Sequence, residues 1–464
     1  MPIPNDLSGV FWLPDHPDQA IAGHLLSRGG QIRLELHGAF TGFEGVLGTA
    51  YPLVLGVSDS SQYLTLYRAY SSGAQIGALL RQHLSIGLGF VGAHFTEDQL
   101  SFAELKFNTD HLADWAAHSG IVHANPPPEG LRWQVGFGHP EPVVADLGDR
   151  GIVKIFYEGG LRIQQGSVEL SESPRIIGTP PKPIGHRQLI SDFLFPLRNL
   201  LTFATMSPAY LEEVVLFSPH VTHTLPTGAE HQLDIELHHT FLQPEDRDRV
   251  IDRLYPTRML FALADWPGEF SSLIQNWLDI SSRHESSINL LMGLAYAPPR
   301  WVATRVLTLA QALEAYHRTA FTESSATTAA IESKARVLTA AKPVVSPEDW
   351  KWLTSQLQHA GDPSLRTRLC ECASRVATII DPMVPDLVLF SKGLGQVRNT
   401  YSHFGAGGSG GEEVRRDYVL ERQAYWVLVT NYLLDLGFSE EQARSLITRN
   451  QVFQHDLRPE WIDL

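Results

Sequence analysis

The sequence has little cysteine and no long hydrophobic run. Its 464 residues include only two cysteines, Cys370 and Cys372, which on a helix would point to different faces, so we expect no disulfide between them. No segment approaches the ~18 uninterrupted apolar residues of a membrane-spanning helix. The first residues also lack the basic start and apolar stretch of a signal peptide. We therefore expect a cytoplasmic protein with no membrane partner.

Basic residues are also in deficit, which limits the partners that the whole molecule can attract. The formal net charge is −15, so contact with a nucleic acid requires a local basic patch. This charge excludes a histone-like or DNA-coating protein. A chain of this length is expected to form two or three domains.

The motifs of common cofactor and metal sites are absent or lack their structural context. The sequence has no Walker A loop, no GxSxG elbow and no kinase signature. The glycines within residues 87–92 have the spacing of a dinucleotide-binding loop, but no helix follows them, so we expect a glycine-rich strand. The histidine pairs His220/His223 and His238/His239 lack the Glu or Cys partners of a metal site. We predict neither a metal nor a cofactor.

Short apolar runs with period-two alternation dominate the first third of the chain. Examples are QIRLELHGAF and YLTLYRAY, and Gly, Asp and Ser separate one run from the next. Many short strands at even spacing predict a sandwich-like or barrel-like domain. We assign this β-rich domain to residues 1–185, because a proline-rich stretch follows at 178–188.

The next segment, 186–298, has a mixed pattern, and we interpret it as a connecting subdomain. Helices are predicted over 189–205 and 245–266, and strands over 210–218 and 231–241. The pair Pro298 and Pro299 marks its end.

From Trp301 onward the apolar residues recur at helical spacing, and no strand is predicted. Helix-start signals occur at Ser346 and Ser364, in the runs SPED and DPS. Residues 299–464 are therefore predicted to form a helical bundle. The expected fold class is α+β, with a β-rich domain first and an all-α domain last.

The strongest chemical signal is the segment VRNTYSHF near the end of a predicted helix. On that helix Asn399 and His403 are i and i+4, so the amide can orient the imidazole. Arg398 and His403 are about 140° apart on an ideal helix, so they converge only if the last turn unwinds or if a two-fold dimer brings two copies of the motif together. The alternative is an ordinary solvated helix end followed by glycine.

An arginine and a histidine without a metal or a nucleophilic serine or cysteine suit one class of reaction. Histidine exchanges protons near neutral pH, and the planar arginine fork matches phosphate oxygens. These groups suffice when the substrate supplies the nucleophile, as RNA does with its 2′-hydroxyl. Arginine would then stabilise the charge on the phosphorane oxygens. DNA lacks this hydroxyl and should not be cut.

R-N-x-x-x-H on a late helix resembles the signature of the HEPN superfamily, whose active members are metal-independent ribonucleases that work as dimers. The order GVFWLP, GHLLSRGGQIRLELHGAF, TLAQALEAYHR and VRNTYSHF resembles ApeA-like anti-phage proteins over nearly the whole chain. The resemblance implies an abortive-infection endoribonuclease, a homodimer or higher oligomer, with Arg398, Asn399 and His403 as catalytic residues. It also implies an RNA substrate, with tRNA as a candidate, and an N-terminal domain that senses a phage-encoded trigger.

Three further residues are assigned supporting roles around the motif. Glu314, in QALEAYHR, is expected to pair with Arg398 across the bundle, and a solvated helix carboxylate is its alternative. His317 follows three residues later on a nearby face of the same helix. Tyr401 is assigned to the wall of the cleft.

Three basic residues near the motif are candidate RNA contacts. They are Lys392, Arg415 and Arg416, and for each an exposed helix surface is the alternative. The competing function is an inactive HEPN bundle that binds RNA or nucleotides, with the β-domain as a ligand-recognition module. The intact Arg398, Asn399 and His403 favour the enzyme.

Overall fold

The computed structural model describes most of the chain and divides it into two units. The described residues are 6–28, 31–41, 46–77, 80–123, 135–224, 228, 230–239, 251–321, 325–358, 362–402 and 411–458. Internal contacts separate one compact unit, Met1–Gln275, from a second, Asn276–Leu464. The three-part division at 185/186 and 298/299 stays a prediction.

The first unit begins with six strands that close into a barrel. These strands are β1 (Asp6–Trp12), β2 (Ile21–Arg28), β3 (Gln31–Leu36), β4 (Ala50–Ser58), β5 (Tyr63–Ile76) and β6 (Leu80–Val91). All pairs are antiparallel, and the ring closes because β1 pairs with β4 while β6 pairs with both β3 and β5. Phe11, Leu34 and Leu64 are fully buried in its core. The glycines within residues 87–92 lie in β6 and its end, as predicted.

Later strands follow, and most of them extend the barrel into a larger sheet. In chain order they are β7 (Ser101–Phe102), β8 (Glu104–Thr109), β9 (Ile121–His123), β10 (Val135–Phe137), β11 (Val143–Asp146), β12 (Ile152–Gln164), β13 (Ser167–Thr179), β14 (Ile184–Gly185), β15 (Leu211–Thr224) and β16 (Glu230–His239). The pairs β7/β14 and β9/β10 form two separate two-stranded sheets. From β6 outward the order is β16, β15, β8, β13, β12 and β11. Strands β15 and β16 confirm the two strands predicted over 210–218 and 231–241, and they belong to the same sheet as the barrel.

The β12–β13 hairpin reaches beyond its neighbours as a two-stranded ribbon. In this ribbon Ile163 is opposite Val168, and Arg162 is opposite Glu169. Side chains alternate along a strand, so the apolar pair and the charged pair lie on different faces. Leu161, Ile163 and Val168 are 64%, 71% and 69% exposed. The ribbon therefore carries an apolar face in contact with solvent.

Four helices begin in the described part of the first unit. They are α1 (Leu112–Ala116), α2 (His186–Leu189), α3 (Phe195–Thr205) and α4 (Phe270–Arg283), and the boundary between the two units falls within α4. A π-helical turn, Ile190–Leu194, joins α2 to α3. Together they confirm the helix predicted over 189–205.

The helix predicted over 245–266 is wrong in its described part, 251–266, which holds only two short 3₁₀ turns, Pro256–Arg258 and Leu263–Asp265. Pro256 has no backbone N–H and disfavours a helical conformation at the preceding residue, and Tyr255 is extended, with φ −87° and ψ 149°. The apolar residues Met259–Ala262 are buried, and the N–H groups of Leu260 and Phe261 donate to the carbonyl of Ala204. Tertiary contacts therefore replace the helical hydrogen bonds.

The second unit is helical. After α4 it contains α5 (Glu285–Tyr296), α6 (Val302–Ala320), α7 (Ser325–Ala341), α8 (Pro347–Gln356), α9 (Leu365–Arg375), α10 (Ala377–Ile380), α11 (Leu387–Ser402), α12 (Gly411–Leu436), α13 (Glu440–Arg449) and α14 (Gln451–Asp456). The described residues after Trp301 include no strand, which confirms the predicted bundle. No described helix is both long enough and apolar enough to span a membrane.

Local signals in this unit follow the sequence. The hydroxyls of Ser346 and Ser364 accept hydrogen bonds from backbone N–H groups in the first turns of α8 and α9, as expected of N-caps. Tyr316 of α6 and Tyr432 of α12 are fully buried, and their rings meet at 5.3 Å in the core. Both cysteines are free, as predicted.

Candidate active site

Helix α11 carries Arg398 and Asn399 close to its C-terminal end. Phe390, Leu394 and Val397 recur at helical spacing and are buried, so they anchor one face of α11 in the bundle. Asn399 is exposed, and Arg398 is partly exposed. The helix continues to Ser402, and His403 lies outside the described residues.

The guanidinium of Arg398 is held loosely by its neighbours. Its Nη2 lies 3.9 Å from Oε2 of Glu314 on α6, and the side chain is 32% exposed. Its Nη1 donates to Oδ1 of Asn399 at 3.5 Å. Its Nε is buried and has no hydrogen-bond partner among the described residues. The predicted pairing of Glu314 with Arg398 is present, at the long end of ion-pair distances.

A second arginine of the same bundle shows what a structural ion pair looks like here. Arg422 of α12 directs Nε and Nη2 onto Oδ2 of Asp456 at 2.7 and 2.6 Å. Those distances are typical of strong charge-assisted hydrogen bonds. Arg398 makes no comparable bond in the described structure. Most of its five N–H donors therefore remain available to a ligand.

Glu314 lies between two arginines. Besides Arg398, it accepts a hydrogen bond from Nη2 of Arg318 at 2.8 Å. The two residues are i and i+4 on α6, which is a favourable spacing for an ion pair. Sequence reasoning missed Arg318, although this spacing identifies it. Two cations compete for one carboxylate, so neither arginine is fully neutralised.

The side chain of His317 pairs with Glu371 and not with Arg398. Its Nε2 lies 2.5 Å from Oε2 of Glu371 on α9, and its ring stacks on Phe321 with centroids 4.7 Å apart. Burial lowers the pKa of His317, and the charge of Glu371 opposes this effect. The described contacts do not bring His317 to Arg398. Its assigned role near the motif stays a prediction.

Tyr401 connects the end of α11 to α12 through a hydrogen bond. Its hydroxyl donates to Oδ2 of the buried Asp417 at 2.5 Å, and Nη2 of Arg416 donates to Oδ1 of the same carboxylate at 3.0 Å. This hydrogen bond, with burial in second place, raises the pKa of Tyr401 to about 12. Sequence reasoning missed Asp417, since no spacing rule connects it to Tyr401.

The three candidate RNA contacts differ in their surroundings. Lys392 on α11 and Arg415 on α12 are exposed. Arg416 is 53% exposed and paired with Asp417. The charges of Lys392 and Arg415 are therefore more available to bind a polyanion than the charge of Arg416. In the described part of the chain, no three His, Cys, Asp or Glu side chains are placed to hold a metal ion.

Comparison with protein-family models gives two matches. The model described as ApeA N-terminal domain 1 matches residues 6–277, which is more than half of the chain. The model described as Apea-like HEPN matches residues 307–442, a range that includes Glu314 and the whole RNTYSH segment. No curated protein and no solved structure matches the chain.

Proposed function

The chain belongs to the ApeA family, with an ApeA N-terminal domain 1 followed by an ApeA-like HEPN domain, and we propose that it is an endoribonuclease that acts in anti-phage defence. HEPN domains are generally ribonucleases, so membership supports a nuclease-type role in general. The observation that carries the finer proposal is Arg398. It keeps spare donors beside Glu314, within a motif that retains Asn399 and His403.

The proposed reaction uses the nucleophile of the substrate. His403 accepts the proton of a 2′-hydroxyl, the 2′-oxygen attacks the adjacent phosphorus, and the 5′-oxygen leaves and takes up a proton. Arg398 donates to the phosphorane oxygens, on which negative charge develops. Asn399 orients His403, and Glu314 limits the positions open to Arg398. The products are a 2′,3′-cyclic phosphate and a 5′-hydroxyl.

Dimerisation and triggering are part of the proposal. An ideal helix would hold Arg398 and His403 about 140° apart, and a two-fold dimer would supply both groups to one cleft. The substrate is RNA, with tRNA as the candidate. A phage-encoded trigger would act through the N-terminal unit, and it must bind the active arrangement more tightly than the resting one.

Incubation of the purified full-length protein with total bacterial RNA in EDTA tests the activity. We expect cleavage with 5′-hydroxyl ends, because the proposed reaction needs no metal. Arg398→Ala should lower the rate roughly 10²–10³-fold, and His403→Ala about 10²–10⁴-fold. Arg366→Ala, which removes an exposed arginine of α9, is the matched control and should cleave like the wild type.

Other outcomes separate the alternatives. Activity that disappears in EDTA and returns with Mg²⁺, or 5′-phosphate ends, would contradict the mechanism. RNA binding without cleavage, in the presence of lysate from infected cells as well, would favour the inactive HEPN module that binds RNA or nucleotides.

A further inference from the structure

Strand β5 contains a strained residue whose side chain leaves the barrel core. Arg68 has a φ of 56°, in the left-handed region that residues other than glycine rarely adopt. Before it, Leu64 and Leu66 are fully buried in the barrel core, and after it the buried position moves to Ala69. The alternation of the strand therefore shifts at Arg68, and the arginine is exposed where a regular strand would bury it.

The neighbouring strands accommodate this shift. Arg68 lies across from Pro52 of β4 and from Gly87 of β6, as the flanking pairs of each ladder show. Pro52 has no N–H to donate to β5. A Cβ atom on Gly87 would lie 3.4 Å from Cβ of Arg68, so glycine leaves room for the displaced side chain. The sequence thus supports a strained conformation at this position, and such strain is often found at functional sites.

Two arginines converge on one aromatic ring at this place. The guanidinium carbons of Arg68 and of Arg187, from α2, each lie 5.7 Å from the ring centroid of Tyr67. Neighbouring residues of a regular strand point to opposite faces, so the shift at Arg68 is what brings it to Tyr67. Nη2 of Arg187 also donates to the hydroxyl of Tyr67 at 2.6 Å. Within the described part of the chain, neither arginine has a carboxylate at ion-pair distance.

A buried histidine with one unpaired ring nitrogen lies against the same ring. His186 is only 6% exposed, and its ring centroid lies 4.8 Å from that of Tyr67. Burial first, and then the charges of Arg187 and Arg68, lower the pKa of His186 to about 4, so its imidazole is neutral at physiological pH. Its Nε2 is buried with no partner among the described residues. Such unpaired groups are rare in folded proteins, and a bound ligand or ordered water is a common explanation.

We propose that Tyr67, Arg68, Arg187 and His186 form a binding site for the phosphate group of a small molecule. Two unneutralised guanidinium groups suit phosphate oxygens, and a bound anion would offset their mutual repulsion. A polynucleotide is disfavoured, because its affinity depends on many phosphate contacts and the whole chain carries a net charge of −15. The site lies in the N-terminal unit and is separate from the proposed reaction at Arg398.

Isothermal titration calorimetry of the full-length protein in phosphate-free buffer tests this site. The probes are inorganic phosphate, pyrophosphate and ATP, which separate a free anion from a nucleotide. We expect saturable binding of at least one probe, and binding roughly 10-fold or more weaker for Arg68→Gly and for Arg187→Ala, because each removes a charged donor. Glycine suits the left-handed backbone at position 68, so Arg68→Gly should stay folded.

Arg253→Ala is the matched control. Arg253 also lies over a tyrosine ring, 5.7 Å from the centroid of Tyr255, but Asp114 is 4.0 Å away. This variant should bind the probes like the wild type. The assignment is overturned if no probe binds, or if Arg68→Gly and Arg187→Ala bind as tightly as the wild type. An equal loss in the Arg253→Ala control would also overturn it, as a nonspecific effect of charge.

Discussion

The planar fork of Arg398, and not only its charge, is what the proposed reaction needs. Arg398→Lys keeps the cation but loses the paired N–H groups that match phosphate oxygens. We expect RNA cleavage to fall roughly 10²-fold, close to the effect of removing one preorganised donor. The melting temperature should barely change, since the long contact with Glu314 contributes little. Both quantities are measured on the same preparations.

An exposed lysine of α8 provides the comparison. Lys351→Arg changes an exposed cation in the reverse direction and should leave the cleavage rate unchanged. A wild-type rate for Arg398→Lys would mean that the site needs only a positive charge. The role assigned to the fork would then be wrong.

The hydroxyl of Tyr401 supports the fold around the motif. Tyr401→Phe leaves the buried carboxylate of Asp417 without one hydrogen bond, and we expect the free energy of unfolding to fall by about 1–3 kcal/mol. The pKa of Tyr401 is raised to about 12, above the value near 10 of an unfolded chain. The contribution of this hydrogen bond to the free energy of unfolding is therefore complete below about pH 10 and is lost as the pH rises through about 12.

Denaturant unfolding at pH 7 measures this loss directly. Tyr255→Phe removes the hydroxyl of a 58% exposed tyrosine and should have almost no effect. Equal stability of Tyr401→Phe and the wild type would show that the contact with Asp417 contributes nothing.

Some residues of the site could be predicted from the sequence, and others could not. The helical pattern predicts that Arg398 and Asn399 belong to one helix, and α11 carries both. The predicted i and i+4 relation of Asn399 and His403 stays a prediction, because His403 lies outside the described residues. The pairing of Glu314 with Arg398 needed the additional assumption of a bundle. Asp417 belongs to the next helix, and periodicity states which face of a helix is buried but not which residue it meets. His317 shows the same limit, since its partner Glu371 lies on α9.

Among the elements, the N-cap of α9 gives a prediction that depends only on local structure. The hydroxyl of Ser364 accepts a hydrogen bond from the N–H of Thr367 at 3.1 Å. Ser364→Ala should lower the free energy of unfolding by about 1 kcal/mol. Ser355→Ala, at an exposed position within α8, should be neutral or slightly stabilising because alanine is the better helix former. A similar change for both variants, measured by thermal unfolding, would contradict the capping role.

Element types were more predictable than element partners. Period-two and period-3.6 patterns predicted the strands of the barrel and the helices of the bundle, because burial on one face leaves that trace in the sequence. The sequence did not decide between a barrel and a sandwich, because the pattern of a strand does not identify its neighbours. The pairing of β1 with β4, which closes the barrel, could therefore not be predicted. The helix prediction failed for residues 251–266, because Pro256 and the backbone hydrogen bonds to Ala204 override the helical periodicity of this segment.

At the scale of the whole molecule, a substitution on the exposed face of α11 tests the proposed dimer. Leu389 is 65% exposed, and Lys392 and Gln396 follow at helical spacing on the same exposed face. A face with an uncovered leucine, on the helix that carries the motif, is where we expect a second copy to pack. Leu389→Glu should convert dimers to monomers in sedimentation velocity and lower RNA cleavage, because a charge would be buried at the interface.

Val344→Glu is the control for this change, because Val344 is 81% exposed in the turn after α7. It should leave both the oligomeric state and the activity unchanged. A wild-type protein that is monomeric and fully active at the same concentration would rule out the dimeric site.

The ribbon formed by β12 and β13 bears on how the protein behaves in concentrated solution. Its apolar face presents Leu161, Ile163 and Val168 to water, and exposed apolar strands are common starting points for aggregation. Arg162 and Glu169 sit on the other face. Solubility of the purified protein should therefore depend on this small part of the surface. Replacement of Ile163 with lysine would place a charge there at little cost to the core.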